Sequence, residues 1–235
     1  MDRFGYPGPL HVLGDRMEFP PVENAWEDGL LAVGGDLSPE RLLLAYRQGI
    51  FPWFDPGEGI HWWSPDPRMV LFPHKLRISK SMRRLLRDQV FTLSRDHCFD
   101  RVMELCAQVP RKGQTGTWIG PEIRAAYGTL HRMGHAHSYE VWENGALVGG
   151  LYGVDLGRVF CGESMFSLRP NASKFAFIAM VRELDRQAYR LIDCQVHTRH
   201  LESLGGELIP RKAFVGFLKG DLGGGEQEED ALGKA

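Results

Sequence analysis

The chain has 235 residues and a mass of 26.6 kDa, with 43% apolar and 11% aromatic residues. This composition excludes a disordered chain and provides enough apolar material for a folded core. The formal net charge of −2 excludes a uniformly basic nucleic-acid coat protein. No apolar run approaches the ~18 residues of a membrane span, and residues 1–15 lack the pattern of a secretory signal, so we expect a cytoplasmic protein.

The first third of the chain carries a helix signal and an aromatic segment. Ser38-Pro39-Glu40 predicts a helix start, because Ser can cap and Pro fits the first helical position, and Gly49 is placed to end the helix. Three of the six tryptophans then fall within residues 53–63, among prolines that prevent a long helix. Such a segment forms either a small local core or an apolar or stacking pocket.

A basic segment follows. Residues 68–101 carry nine basic and three acidic side chains, whereas residues 1–67 have a net charge of −7. Clustered cations suit a phosphate backbone, because each contact releases condensed counterions; a solvated helix face is the alternative. The centre of the segment reads as a short helix over 79–87 with the cations Lys80, Arg83, Arg84 and Arg87.

The remaining elements predict an α+β fold. We expect helices over 99–107 and 120–133, then antiparallel strands over 137–142, 146–154 and 158–164, the first two joined by the hairpin signal Asn144-Gly145. A helix over 173–189 with an apolar stripe (Phe177, Val181, Leu184 and Ala188) and a buried strand over 191–196 complete the order β-β-β-α-β. This order indicates a mixed, mostly antiparallel sheet with packed helices.

The chain divides by composition into three parts. We expect a small N-terminal domain over 1–66, a second domain over 67–218 and a disordered acidic tail over 219–235, which lacks the apolar residues to pack.

Two carboxylates are the best candidates for chemistry. Glu163 and Asp193 lie in apolar strands on either side of one helix, and the two-residue period of a strand puts Gln195 on the same face as Asp193. A buried carboxylate must be paired, hydrogen-bonded or protonated, so a structural bridge is one explanation. Two such residues together with Gln195 favour a site that holds and orients a cation or an amine.

Other kinds of site are less well supported. The histidines at 131, 135 and 137, or at 197 and 200, lack a standard metal-ligand spacing with a partner carboxylate, so we expect no metal. No G-x-S-x-G motif marks a serine hydrolase, and the glycines of 148–153 lack the strand-turn-helix setting of a dinucleotide site. We expect no cofactor.

Eight motifs in order resemble the bacterial leucyl/phenylalanyl-tRNA–protein transferase family, over residues 19–218. They are GLLAVGGDLSP (29–39), GIFPWF (49–54), WWSPDPR (62–68), GTWI (116–119), GHAHS (134–138), GESMFS (162–167), NASK (171–174) and LIDCQV (191–196). The resemblance implies that the second domain is of the GCN5-related acetyltransferase type. It also implies transfer of Leu or Phe, and Met less well, from aminoacyl-tRNA to proteins that begin with Lys or Arg, which marks them for N-degron (N-end rule) degradation.

The resemblance also implies roles for individual residues. Trp53 and Trp118 should contact the aminoacyl-adenosine end, and an apolar pocket for the transferred side chain should be formed by Leu151, Gly162, Met165 and Ile192. The polar residues at the reacting centre are Glu163, Asp193 and Gln195. We expect Asp193 to draw in the cationic end of the acceptor, the apolar pocket to lie beside these carboxylates, and the cations of 80–87 to bind tRNA phosphates.

Two alternatives stay open. An acyl-CoA-dependent N-acyltransferase of the same fold would need a Gly-rich turn where residues 167–174 have no glycine. A tRNA-binding module without catalysis leaves the set Glu163, Asp193 and Gln195 unexplained.

Overall fold

The computed structural model describes residues 10–109 and 117–220, in two compact units. One unit combines the described parts of Met1–Arg68 and Leu208–Ala235, and the other is Met69–Glu207. The strands are β1 (His11–Leu13), β2 (Leu30–Gly34), β3 (Phe51–Pro52), β4 (His61–Trp63), β5 (Arg68–Leu71), β6 (Thr92–Arg95), β7 (Ala136–Glu143), β8 (Ala146–Asp155), β9 (Val159–Ser167), β10 (Leu191–Gln195) and β11 (Glu207–Ile209). The α-helices are α1 (Pro39–Arg47), α2 (Lys80–Arg87), α3 (Phe99–Gln108), α4 (Pro121–Arg132), α5 (Ala172–Arg186), α6 (Arg199–Ser203) and α7 (Arg211–Lys219).

The first unit contains a small sheet in the order β1-β2-β4-β3, with α1 between β2 and β3 in the sequence. The predicted helix signals are confirmed: Ser38 Oγ accepts from the Arg41 N–H at 3.4 Å, and Gly49 follows the helix with a φ of +79°. The aromatic segment supplies part of the core, since Trp62 is fully buried and its Nε1 donates to the Gly34 carbonyl at 2.9 Å. Trp53 instead stays 40% exposed.

The last helix, α7, belongs to this first unit. The Arg211 N–H donates to Asp66 Oδ1 at 2.9 Å, and the Arg68 guanidinium lies between the rings of Phe51 and Phe214, at 4.8 and 4.6 Å from their centroids. The composition-based boundaries put residues 208–218 in the second domain instead, while the boundary after residue 66 lies close to that of the units. Of the acidic tail, residues 221–235 lie outside the described part of the chain.

The second unit is built on a sheet whose strands follow the order β5-β10-β9-β8-β7-β6. Neighbouring strands are antiparallel, except that β9 and β10 run parallel on either side of the crossover helix α5. The predicted α+β order β-β-β-α-β is therefore confirmed in β7-β8-β9-α5-β10. Helix α5 ends at Arg186, and Ala188 is exposed with a φ of +59°, so the predicted apolar stripe stops at Leu184.

Helices cover both faces of this sheet. Helix α5 and Met82 of α2 pack on one face, in a core cluster that includes Leu151 and Ile192. Helices α3 and α4 cover the other face, where Tyr152 packs edge-on against Phe99 and Tyr127. None of the helices in the described residues is long and apolar enough to cross a membrane.

Candidate active site

Both strands that carry the candidate carboxylates contain a β-bulge at that point. Between β8 and β9 the register passes from Tyr152↔Ser164 to Gly153↔Gly162, which leaves Glu163 as the extra residue. Between β5 and β10 it passes from Val70↔Asp193 to Met69↔Gln195 and skips position 194. A bulge bends its strand and re-aims the side chains beside it.

The bulge in β10 corrects one prediction. Asp193 and Gln195 do not share a face, because their partners Val70 and Met69 are consecutive in β5 and therefore face opposite sides. The extra residue between them breaks the two-residue period, and Gln195 adopts a left-handed φ of +63°. The pattern of apolar and polar residues contains no signal for this insertion.

Gln195 nevertheless joins the two carboxylates. Its side-chain Nε2 donates to Glu163 Oε1 at 2.8 Å, and its backbone N–H donates to Asp193 Oδ1 at 2.9 Å. A third donor comes from α4, where the Tyr127 hydroxyl lies 3.3 Å from Glu163 Oε2. The structure thus brings together all three residues predicted for the reacting centre, and adds a tyrosine that the sequence analysis missed.

The two carboxylates differ in exposure. Asp193 is fully buried, whereas Glu163 keeps part of its surface exposed. Hydrogen bonding offsets the cost of burying a carboxylate, and the Gln195 N–H supplies part of it for Asp193. Because a substrate cannot reach a side chain without exposed surface, Glu163 is the carboxylate that can contact one in this structure.

The apolar candidates lie mainly on the α5 side of the sheet. Leu151 and Met165 are register partners, and Leu151 and Ile192 are buried in the cluster under α5, where Met165 packs with part of its surface exposed. Gly162 comes directly before Glu163, and a Cβ atom there would lie 3.6 Å from the Asp193 carbonyl oxygen.

The expectation that the apolar pocket lies beside both carboxylates is wrong for Asp193 and stays a prediction for Glu163. Gln195 lies opposite Met69, a member of the cluster under α5, and its side chain reaches Glu163. Asp193 follows Ile192 directly in the strand, so its side chain faces the side of the sheet opposite to the apolar residues.

The two tryptophans named for the adenosine end belong to different units. Trp53 lies in the first unit, with its ring centroid 5.8 Å from that of Trp63. Trp118 lies in the second unit, shortly before α4, and is 8% exposed. Gly116 of the same GTWI motif lies outside the described residues.

The basic segment separates into structural and exposed cations. Arg68 is buried, and Arg95 forms an ion pair with Glu183 at 2.8 Å, so both stabilise the fold. Helix α2 instead buries Met82 and packs Leu85 and Leu86 on the core. Its opposite face exposes the four predicted cations Lys80, Arg83, Arg84 and Arg87, of which Arg84 and Arg87 pair with Asp88.

The clustered histidines serve the fold. His137 Nδ1 lies 2.7 Å from Asp96 Oδ2, and the His131 ring stacks on Phe99 at 4.2 Å between centroids. Burial raises the pKa of Asp96, but hydrogen bonds from His137 and Ser138 outweigh it, so that this pKa lies below its ordinary value. Within the described residues, no group of three or more His, Cys, Asp or Glu residues could hold a metal ion.

Comparison with family models gives two adjacent matches. Residues 70–219 match the model described as leucyl/phenylalanyl-tRNA protein transferase, and residues 35–66 match the model of the N-terminal domain of the same enzyme.

Curated relatives with the same name align with this chain over most of their length. A leucyl/phenylalanyl-tRNA–protein transferase from Flavobacterium johnsoniae is 57% identical over 210 residues, covering 89% of this chain and 99% of the relative. A transferase of the same name from Nitrosomonas eutropha is 58% identical, covering 89% of this chain and 90% of the relative.

Solved structures match with low identity. FemX matches at 11% identity and a TM-score of 0.47, covering 72% of this chain and 66% of that one. A GCN5-related N-acetyltransferase from Kribbella flavida matches at 10% identity and a TM-score of 0.36, covering 72% of this chain and 59% of that one.

Proposed function

The chain belongs to the leucyl/phenylalanyl-tRNA–protein transferase family, and we propose that it transfers Leu or Phe, and Met less well, from aminoacyl-tRNA to proteins that begin with Lys or Arg. Such a transfer marks the acceptor for degradation by the N-end rule. The observation that carries the proposal is the joined set of Glu163, Gln195 and Asp193 at two bulged strands, within a chain whose family match is nearly complete.

The reaction depends more on the positioning of the amine and the ester than on a strong catalytic base. The acceptor α-amine attacks the carbonyl carbon of the aminoacyl ester, a C–N bond forms, and the ester C–O bond breaks to release the tRNA hydroxyl, which receives the proton lost by the amine. An α-amine has a pKa of about 8, so a useful fraction is neutral at pH 7. Holding the amine and the ester in attack geometry can supply roughly 7–11 kcal/mol.

Glu163 is the residue that we assign to the substrate. Its two oxygens accept hydrogen bonds from Gln195 and Tyr127, which orients the carboxylate. Its partly exposed surface lets the amino group of the donor or the acceptor reach it. Asp193 acts through Gln195 as a positioning residue. This assignment replaces the expectation that Asp193 draws in the acceptor, because Asp193 has no exposed surface.

The side chain of the donor is selected by apolar contact. Met165 is the partly exposed member of the apolar set and can contact a Leu, Phe or Met donor, while the buried Leu151 and Ile192 lie in the cluster on which it packs. A Met side chain adapts to unlike shapes. Such a pocket rejects a smaller donor by only ~1–3 kcal/mol per missing methylene. We therefore propose graded use of donors, with Trp118 at the aminoacyl-adenosine end and with the four cations of α2 on tRNA phosphates.

The alternative with acyl-CoA gains no support from the start of α5. The Ser173 N–H, one of the first amides of this helix, donates to Ser167 Oγ at 3.2 Å. A backbone amide at a helix start is what would hold a pyrophosphate, and here a side chain already occupies it. The alternative of a tRNA-binding module leaves the joined carboxylates without a role.

A transfer assay tests the proposal. The protein is incubated with labelled leucyl-tRNA and a peptide that begins with Arg, and the extended peptide is measured; acetyl-CoA replaces the tRNA in a second arm. We expect extension only with aminoacyl-tRNA, and a loss of at least about 100-fold in kcat/KM for Glu163→Gln, the usual effect of losing the attack geometry. The matched control is Asp185→Asn, an exposed carboxylate on α5. Extension from acetyl-CoA, or full activity in E163Q, would contradict the proposal.

The assignment of Asp193 is tested in the same assay. Asn at position 193 keeps an oxygen that accepts from the Gln195 N–H, so Asp193→Asn should lower kcat by less than E163Q does and leave the KM of the Arg peptide unchanged. A raised KM with normal kcat would show instead that Asp193 binds the acceptor.

A further inference from the structure

We propose that Tyr127 is a positioning residue for the transfer reaction, which holds the Glu163 carboxylate in its working orientation. This inference rests on the proposed function of Glu163. It concerns a residue of α4 that lies outside all the motifs by which the family resemblance was established.

The contact geometry fixes both oxygens of Glu163 from different elements. Gln195, at the end of β10, donates to Oε1 at 2.8 Å, and the Tyr127 hydroxyl donates to Oε2 at 3.3 Å. A carboxylate with one bond to each oxygen cannot rotate about its last torsion without losing both. The bulge alone does not fix this torsion, because it sets the backbone of Glu163 and not the plane of its carboxylate.

Tyr127 is itself held in place by packing. It is fully buried in the middle of α4, and its ring meets that of Tyr152 edge-on, with centroids 5.9 Å apart. Tyr152 in turn packs against Phe99 at 5.8 Å, and Phe99 stacks on His131 at 4.2 Å. This row of rings leaves the phenol little freedom, so the hydroxyl is presented to Glu163 without a further loss of entropy on substrate binding.

Exposure gives Tyr127 and Glu163 different roles. Glu163 is partly exposed, so a substrate amine can reach its carboxylate. Tyr127 has no exposed surface, so it acts on the reaction through Glu163 and not by direct contact with the substrate.

The test is a double-mutant cycle. Tyr127→Phe removes the hydroxyl and keeps the ring that packs on Tyr152, so the fold should survive. We expect kcat for transfer from leucyl-tRNA to fall by about 10-fold, the effect of losing a hydrogen bond to a charged group, with the KM for the tRNA unchanged because phosphate contacts set it. In the E163Q background the same substitution should have at most a 2-fold effect on the remaining activity.

Tyr139→Phe is the matched control. Tyr139 is also a buried tyrosine of this unit whose hydroxyl donates to a glutamate, Glu183, at 3.1 Å. Its removal should leave kcat unchanged. Equal losses in Y127F and Y139F, or a loss in Y127F that persists at full size in E163Q, would overturn the role of Tyr127 and leave the proposed function intact. Absence of transfer by the unaltered protein would instead overturn the proposed function itself.

Discussion

A carboxylate can act on a substrate only where the substrate reaches it, and exposure therefore divides the acidic residues of this protein by role. Glu163 is partly exposed and held by neutral donors, which suits contact with an amine. Asp193 is fully buried and accepts from the backbone of Gln195, which suits the support of a neighbour. The sequence predicts that these residues are special, because acidic residues are rare in buried strands. The sequence does not show that Glu163 is partly exposed and Asp193 fully buried, which is the difference that separates their roles.

The lowered pKa of Asp96 should make the stability of the folded protein depend on pH. Its pKa is below the ordinary value in the folded protein, so its contribution to stability is complete above the unfolded pKa of about 3.9 and is lost as the pH falls through the folded value. We expect Asp96→Asn to lower the free energy of unfolding by about 1 kcal/mol at pH 7, the size of one hydrogen bond. Urea unfolding at several pH values measures this.

The difference between wild type and D96N should shrink between pH 4 and pH 3. Asp185→Asn, at an exposed site on α5, should have little effect at either pH. A difference that stays constant down to pH 3 would mean that D96N acts through packing and not through the charge of the carboxylate.

The bulge between β8 and β9 contains two paired glycines that differ in the room they leave for a side chain. A Cβ atom at Gly153 would lie 2.3 Å from the Cys161 carbonyl oxygen and 2.5 Å from the Phe160 ring, whereas one at Gly162 would lie 3.6 Å from the Asp193 carbonyl oxygen. We expect Gly153→Ala to lower the free energy of unfolding by about 2 kcal/mol or more, because backbone and ring must both shift.

Gly162→Ala is the matched substitution on the partner strand. Its Cβ atom makes an ordinary contact, so the free energy of unfolding should not fall, while transfer activity should fall because the new methyl group lies at the candidate site. Thermal unfolding and the transfer assay together measure both effects. Similar losses of stability in G153A and G162A would contradict this account of the bulge.

Helix α2 carries the prediction for tRNA. Lys80→Glu with Arg83→Glu should raise KM for leucyl-tRNA and phenylalanyl-tRNA by the same factor, because phosphate contacts read no side chain of the donor. The slope of log KM against log salt should fall by roughly 0.7–0.9 for each lost contact. Arg182→Glu with Arg186→Glu, which makes the same change of charge on exposed α5 positions, should leave both unchanged. Unequal losses for the two donors would contradict the assignment.

The helices and the long strands could be predicted from the sequence because their caps and periods are local. Ser38 caps the helix α1 that it predicts, and Asn144-Gly145 joins β7 to β8 in the second unit. The bulges at Glu163 and Cys194 could not be predicted, since they are set by pairing with β8 and β5. Tyr127 was missed because a buried tyrosine in an amphipathic helix has the same sequence signal as any other core residue.

The first unit is assembled from two segments that lie far apart in the sequence, and α7 belongs to the second of them. Phe214 of α7 is fully buried, its ring lies 4.6 Å from the Arg68 guanidinium, and a Cβ atom at Gly49 would approach it within 3.2 Å. The composition does not indicate that the chain returns to the first unit after residue 207, because residues 208–218 resemble the second domain that precedes them.

Phe214→Ala should therefore destabilise the first unit by about 3–5 kcal/mol, the usual cost of removing a buried phenylalanine. Hydrogen exchange measures the effect locally: the amides of β2 and α1 should exchange faster, while those of β8 and β9 keep their protection. Lys212→Ala, at an exposed position of the same helix, should change neither set. If F214A instead accelerated exchange in β8 and β9 and left β2 and α1 protected, α7 would stabilise the second unit and the division of the chain given by its contacts would be wrong.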